Sequence, residues 1–206
     1  MGPYKYKFGR IFRDMIDASR PFKNVLDIAC ADAKFRKFFG TTNYTGVDIS
    51  RDRLSSDKAI SNSKIFKSTD LIVADLANPK GLLVNQKFDL VVSTHTIKHI
   101  SNIEDKKIAS KNLINLISDD GYLIVQLNND CIKIVKPVLD NNLRLVRHVA
   151  YKGKISRVME NSFSGKFHLS LFGHVLNLIF SYFDFGKKSD NLLMYKKIMN
   201  YNKFFS

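Results

Sequence analysis

Val25-Leu26-Asp27-Ile28-Ala29-Cys30-Ala31-Asp32-Ala33 is a short apolar run, broken by one acid, that passes directly into small residues. A short apolar run bounded by turn formers reads as a buried strand. Small residues just beyond it are what a tight turn needs where the backbone must leave room for a helix or a bound molecule. The junction therefore predicts a strand that feeds a turn and then a helix, the first unit of an α/β fold.

Working outward, residues 44–47, 71–74, 88–92 and 122–127 repeat the apolar, β-rich signature of strands buried on both faces. Residues 33–39, 51–60 and 104–117 between them carry helical patterns, and the last places Ala109, Leu113, Leu116 and Ile117 on one face. Asp119-Asp120-Gly121 reads as the turn that ends that helix. Strand and helix alternation of this kind implies right-handed crossovers within one sheet covered on both sides. The pattern continues with a helix near 130–139 and strands at 143–151 and 192–197. Residues 152–188 break the alternation and read as an insertion. Within it a helix is expected over 167–184, with Leu169, Phe172, Leu176, Ile179, Phe180 and Phe183 at helical spacing. It is a candidate lid or interfacial helix, with Lys152, Lys154, Arg157 and Lys166 before it and Lys187 and Lys188 after it. The first 20 residues are expected to form a helix beside the mouth of the site. No repeat or low-complexity linker suggests a boundary, so residues 1–206 are read as one domain.

The bulk numbers agree with one core: 206 residues at 45% hydrophobic content. Two cysteines, Cys30 and Cys131, are too few for a disulfide framework or a four-ligand zinc site, which points to a reducing cytoplasm. Lys5, Lys7, Arg10 and Arg13 have no apolar stretch behind them, against a secretory signal. The longest apolar-rich stretch, 169–180, is interrupted by His174 and Asn177 and falls short of the ~20 residues that span a bilayer. A soluble or membrane-peripheral protein is expected. The net charge of +14 draws the chain toward nucleic acid, anionic lipid or phosphorylated small molecules without choosing among them.

In a doubly wound sheet, ligands lie outside the carboxyl ends of the strands. Three acids stand there. Asp27 adjoins the small-residue turn; Asp48 ends the second strand, where a carboxylate can accept both hydroxyls of a ribose; Asp75 ends the third, within reach of an adenine amino group. Singly, each could be a helix cap or a turn former. In register on three successive strands they specify a site for an adenosine-containing cofactor.

With Phe88-Asp89-Leu90-Val91-Val92-Ser93 and His95-Thr96-Ile97-Lys98-His99-Ile100, this series resembles the class I S-adenosylmethionine-dependent methyltransferases of small-molecule type, over roughly residues 25–127 and again at the last strand. The resemblance implies a Rossmann-like, doubly wound, seven-stranded and mostly parallel sheet with an antiparallel last strand and a helical insertion before it. It implies S-adenosyl-L-methionine as cofactor, with Asp27, Ala29, Cys30 and Ala31 around the methionine part. Asp48 and Ile49 would hold the ribose, Asp75 and Leu76 would frame the adenine, and Ser93, Thr94 and His95 would face the methyl donor and acceptor. The sequence departs from the family twice. Alanines 29, 31 and 33 replace the usual three glycines of the turn, and Lys98 stands where many relatives carry Glu.

Methyl transfer is an in-line displacement at an activated carbon, so alignment and water exclusion matter most. A hydroxyl acceptor must also lose a proton, and His95 and His99 are the candidate bases. Their i, i+4 spacing would suit a metal if they shared a helix face, but Thr96-Ile97-Lys98 between them lacks the glutamate of a zinc peptidase and adds a positive charge. No metal is expected. Cys30 is read as a small buried side chain of the turn. The acceptor is expected to be a small, amphiphilic or anionic molecule, such as a sugar or lipid-linked metabolite, that is O-methylated. RNA is the second choice: the aromatic residues look spread through helical patterns instead of interleaved with basic ones, and the base-methylating Asn-Pro-Pro-Tyr motif is absent after the fourth strand. A non-catalytic cofactor-binding module with a decayed glycine turn is the third reading.

Overall fold

Strand β1 (Asn24–Ile28) lies between two parallel neighbours, β2 (Asn43–Asp48) and β4 (Phe88–Ser93). In the computed structural model, which describes residues 3–40, 42–66, 68–78, 85–151, 175 and 189–198, the sheet has seven strands in the order β3-β2-β1-β4-β5-β7-β6. Strands β3 (Thr69–Val73) and β5 (Ile117–Asn128) extend the parallel part, while β7 (Asp190–Lys196) runs antiparallel to both β5 and β6 (Arg144–Tyr151). This is the Rossmann-like arrangement with one reversed strand that the resemblance implied. Apart from Val175, the expected insertion at 152–188 and its helix lie outside the described residues.

Successive side chains of a strand point to opposite faces, and here both faces are covered. Leu26, Ile28 and Val91 pack with Ala109 and Leu113 of α4 (Ile103–Leu116) and with Val135 and Leu139 of α5 (Asn129–Asp140). Val25, Leu90 and Val92 pack on the other side with Phe8, Phe12, Met15 and Ile16 of α1 (Pro3–Ala18). Double burial is why β1 reads as an apolar run interrupted only by Asp27. Asp89, at the start of β4, accepts hydrogen bonds from the backbone N–H groups of Lys23 and Asn24 at 2.8 and 3.0 Å, which pins the register of the central pair.

Four local expectations change. The helix foreseen at 33–39 is reduced to a 3₁₀ turn, Arg36–Phe38. Ala33 has a left-handed φ of 52° and Gly40 one of 67°, so both ends of the segment leave helical geometry. The helix foreseen at 51–60 is two pieces, α2 (Arg51–Leu54) and α3 (Asp57–Ser63). Ser50 and Ser56 each accept a hydrogen bond from the third residue on, Arg53 N at 3.3 Å and Ala59 N at 3.2 Å, so the second serine restarts the helix as a new cap. The 119–121 turn is absorbed into β5, where Asp120 has φ 61° and the ladder to β4 is irregular between Phe88 and Leu90. His95 and His99 do not share a helix face, because only Ile97–His99 is helical there, as a single 3₁₀ turn.

Candidate functional site

The backbone leaves β1 through three left-handed alanines: Ala29 at φ 58°, Ala31 at 51° and Ala33 at 52°. An L-residue with a Cβ pays roughly 1–2 kcal/mol in that region, so the turn persists because its surroundings hold it. Cys30 N donates to Val47 O of β2 at 3.0 Å, Ala33 N donates to Cys30 O at 2.9 Å, and Asn62 of α3 donates its side-chain amide to Asp32 O at 2.6 Å. Gly46 makes room for the turn: a Cβ there would sit 2.8 Å from Cys30 Sγ. Burial pushes the Cys30 thiol well above its ordinary range, which fits a packing role and not a nucleophile.

Asp48 closes the turn from the side. Its Oδ2 accepts from Ala31 N and its Oδ1 from Ser50 N, both at 2.9 Å. Each carboxylate oxygen keeps a further lone pair for a ligand hydroxyl. Asp75 follows β3, is exposed, and accepts from Ala77 N at 2.9 Å through Oδ1. At the end of β4, His95 takes φ 63°, with its N–H donated to Gln126 Oε1 at 3.2 Å, and Gln126 Nε2 in turn donates to the Tyr151 hydroxyl. Thr96 Oγ1 reaches back to Ile28 O at 3.2 Å and ties this loop to β1.

These pieces surround one cavity of about 540 Å³ at the carboxyl ends of β1, β2, β3 and β4, within the size range of small-ligand pockets. Among the residues foreseen from sequence, Ala29, Cys30, Ala31, Asp48, Ile49, Asp75, Leu76, Thr94, His95 and His99 line it; Asp27 and Ser93 do not. Ser93 is fully buried, and its Oγ has no hydrogen-bond partner. Asp27 is also fully buried: Oδ2 accepts from the Tyr44 hydroxyl at 2.8 Å, and Oδ1 has no partner. Burial, more than the opposing Tyr44 hydrogen bond and Lys34 charge, pushes its carboxyl up to about 7.

Sequence reasoning missed several wall residues. Lys34, Phe35, Arg53 and Thr96 also line the cavity. Lys34 and Arg53 could not be singled out among 33 basic residues, although Arg53 lies only five positions beyond Asp48. The N-terminal helix does border the mouth, as expected. Phe8 of α1 packs on Phe35 at 6.0 Å and on His95 at 6.1 Å between ring centroids. The aromatic and basic residues are more interleaved than the linear pattern suggested. Lys34 lies over Phe35 at 4.9 Å, and Lys37 and Arg13 lie over Phe38 at 5.4 and 5.3 Å. Among the described residues, no three His, Cys, Asp or Glu side chains cluster as metal ligands would, and no helix is long and apolar enough to cross a membrane.

A family model described as "Methyltransferase domain" matches residues 20–162, a span that includes the turn, the three acids and the β4 loop. No curated protein matches the chain. Among solved structures, the N-methyltransferase NodS from Bradyrhizobium japonicum WM9 with bound S-adenosyl-L-homocysteine is similar at 14% identity and TM-score 0.70, over 95% of this chain and 88% of that one. The magnesium protoporphyrin IX methyltransferase of Synechocystis PCC 6803 with bound S-adenosylmethionine is similar at 12% identity and TM-score 0.60, over 95% and 80%. An rRNA methylase from Streptococcus thermophilus is similar at 9% identity and TM-score 0.59, over 92% and 95%. At such identities these likenesses speak for the fold alone.

Proposed function

The chain belongs to the methyltransferase domain family, and from that premise we propose that it methylates a hydroxyl oxygen of a small amphiphilic or anionic acceptor. S-Adenosylmethionine, the family's cofactor, supplies a methyl group already activated on a positively charged sulfur. The observation that carries the reading is the single cavity that Asp48, Asp75 and His95 share.

The residues present fit that cofactor. Asp48 offers lone pairs to two ribose hydroxyls while two backbone N–H groups hold its orientation. Asp27 stands fully buried beneath the turn and outside the cavity lining, so the backbone of Ala29, Cys30 and Ala31 meets the methionine part. Asp75 and Leu76 flank the adenine end, and Thr94 and His95 face the acceptor. With the cofactor held there, its sulfonium would supply the methyl group to the acceptor oxygen and leave as the thioether, and the acceptor proton would pass to the His95 imidazole or to water. His95 is held for this task by its left-handed backbone and by Gln126. Phe8 and Phe35 shield the same end from solvent, and Lys34 and Arg53 favour an acceptor that carries negative charge.

Calorimetric titration with S-adenosylmethionine and S-adenosyl-L-homocysteine tests the core of the reading: micromolar binding is expected, and no heat from either ligand at millimolar concentration ends it. Transfer of labelled methyl to a panel of hydroxylated amphiphiles then identifies the acceptor, with His95→Ala lowering kcat more than it raises KM. RNA is kept as a second acceptor class on the Lys34–Phe35, Lys37–Phe38 and Arg13–Phe38 pairs beside the cavity. That reading requires RNA affinity to fall steeply with salt, and a salt-independent affinity removes it.

A further inference from the structure

Phe38, which closes the 3₁₀ turn, carries cations from two elements: the Arg13 guanidinium of α1 at 5.3 Å and the Lys37 ammonium at 5.4 Å from its ring centroid. Lys34 sits likewise 4.9 Å from the centroid of Phe35, and the Phe35 and Phe38 rings stack at 6.1 Å. We propose that Arg13, Lys34 and Lys37 form a phosphate subsite at the mouth of the cavity, so that the acceptor is a small phosphate ester whose hydroxyl reaches His95. The inference deepens the reading of an anionic acceptor and rests on it.

Three observations support it. First, the three cations are exposed, and no ion pair with a carboxylate engages any of them among the described residues. Asp17, one turn beyond Arg13 on α1, is taken by Arg20 at 3.3 Å, and Lys34 acts on the fully buried Asp27 through its field alone. Like charges gathered on two stacked rings repel one another, and a bound phosphate dianion relieves that repulsion. Second, the cations are seated. A ring face attracts a cation, so part of the freedom that a long side chain gives up on gripping an anion is already gone. The rings are themselves fixed, because Phe35 and Phe38 pack on the fully buried Phe12 at 4.9 and 6.2 Å. Third, the row leads into the site. His95, Phe8, Phe35 and Phe38 follow one another at centroid distances of 6.1, 6.0 and 6.1 Å.

Lys34 and Phe35 line the cavity, whereas Arg13, Lys37 and Phe38 stand outside its lining. A phosphate gripped there lies outward from His95 along the ring row, within the span of a phosphorylated sugar or polyol. A second, smaller cleft that Lys34 also borders is a poorer seat for an anion: Asp32 and Asp52 line it together with Lys34 and Arg53 and balance their charge.

The test uses the full chain saturated with S-adenosyl-L-homocysteine and titrates inorganic phosphate and glycerol 3-phosphate at constant ionic strength, followed by phosphorus NMR. Millimolar binding of both probes to the wild type is expected. Arg13→Gln and Lys37→Gln should each weaken both probes about fivefold, and the double variant by more than about tenfold, with affinity for S-adenosyl-L-homocysteine changed less than about twofold. Phe38→Leu keeps every charge but removes the seat, and should weaken the probes about threefold. Lys133→Gln removes the same charge from the exposed face of α5, across the sheet from α1, and should leave probe binding as it is. A double variant that binds phosphate as the wild type does, or an equal loss in Lys133→Gln, overturns the subsite while the cofactor reading stands. Micromolar binding of oligouridylate that the double variant loses, with glycerol 3-phosphate unbound, overturns the small ester and assigns the surface to RNA. Failure of S-adenosyl-L-homocysteine to bind the wild type overturns the cofactor reading and the acceptor subsite together.

Discussion

Replacing Ala29, Ala31 and Ala33 by glycine should stabilise the protein, and the three sites should not contribute equally. Each alanine is held at a left-handed φ between 51° and 58°, at a cost of about 1–2 kcal/mol per residue. Glycine removes that strain but adds about 0.5–1 kcal/mol of backbone entropy to the unfolded chain. The net gain is about 0.5–1 kcal/mol at Ala29 and at Ala31, both only partly buried. Ala33 is fully buried, and losing its methyl group costs about 0.8 kcal/mol of burial, which cancels the gain. The triple variant should therefore gain about 1–2 kcal/mol, or about 2–8 °C in Tm for a chain of this size. Thermal unfolding by circular dichroism without ligand, on the triple variant and the three single ones, measures this. A triple variant that melts lower than the wild type, or an Ala33→Gly gain exceeding the other two, would refute the strain argument. Ala31→Gly has a second readout: its methyl borders the cavity, so cofactor affinity should rise as well.

Asp27→Asn should show a stability gain that depends on pH. The Asp27 carboxyl is raised to about 7, so its contribution to stability is complete below the ordinary carboxylate range and is lost as pH rises through 7. The amide suffers no such loss. Near pH 8.5 the variant should be more stable by on the order of 4 kcal/mol, with the difference vanishing near pH 4; urea midpoints at the two pH values decide it. Asp48→Asn turns amide hydrogens toward one of the two backbone donors, from Ala31 or Ser50, at a cost of about 1–3 kcal/mol; an unchanged Tm contradicts it. Arg36→Met strips the carbonyls of Gly40, Thr42 and Ser68 of a donor and should lower stability by about 3 kcal/mol or more, read as a shift in the urea midpoint. Gly46→Ala brings a methyl to 2.8 Å from Cys30 Sγ and from Leu71 Cδ2, costing about 1–3 kcal/mol. Adding Cys30→Ala should recover part of that loss in a double-mutant cycle.

The strands were legible in the sequence where burial alone decides the residue type. β1, β4 and β5 carry Val, Leu and Ile on both faces because both faces are covered, and the acids that close β2 and β3 stand out against those runs. The lengths of the connections were not legible. The 33–39 segment has good helical spacing, but the backbone carbonyls around Arg36 engage its guanidinium, a tertiary interaction that no local pattern carries. The split at Ser56 follows from a competing cap that any Ser offers and few use. In the site, residues that project into the cavity from strand ends were found through their register. Tyr44 reads as plain core because its ring is core, and the bond from its hydroxyl to Asp27 is a tertiary contact that no local pattern carries. Lys34 and Arg53 were hidden by the general excess of positive charge.

The reversed strand β7 also sets a schedule for the chain as it leaves the ribosome. β5 pairs with β7 along its outer edge from Tyr122 to Asn128, and β6 is joined to the sheet through β7. The residue that opens this pairing, Asp190, is made 62 positions after its partner Asn128. At about 5–20 residues per second, the β5 edge waits about 3–12 s for its partner, with β6 already synthesised and unmoored. Slow translation through that interval prolongs the exposure of a sticky ladder, so yield in a heterologous host should respond to codon choice between residues 128 and 190 more than to codon choice before β1.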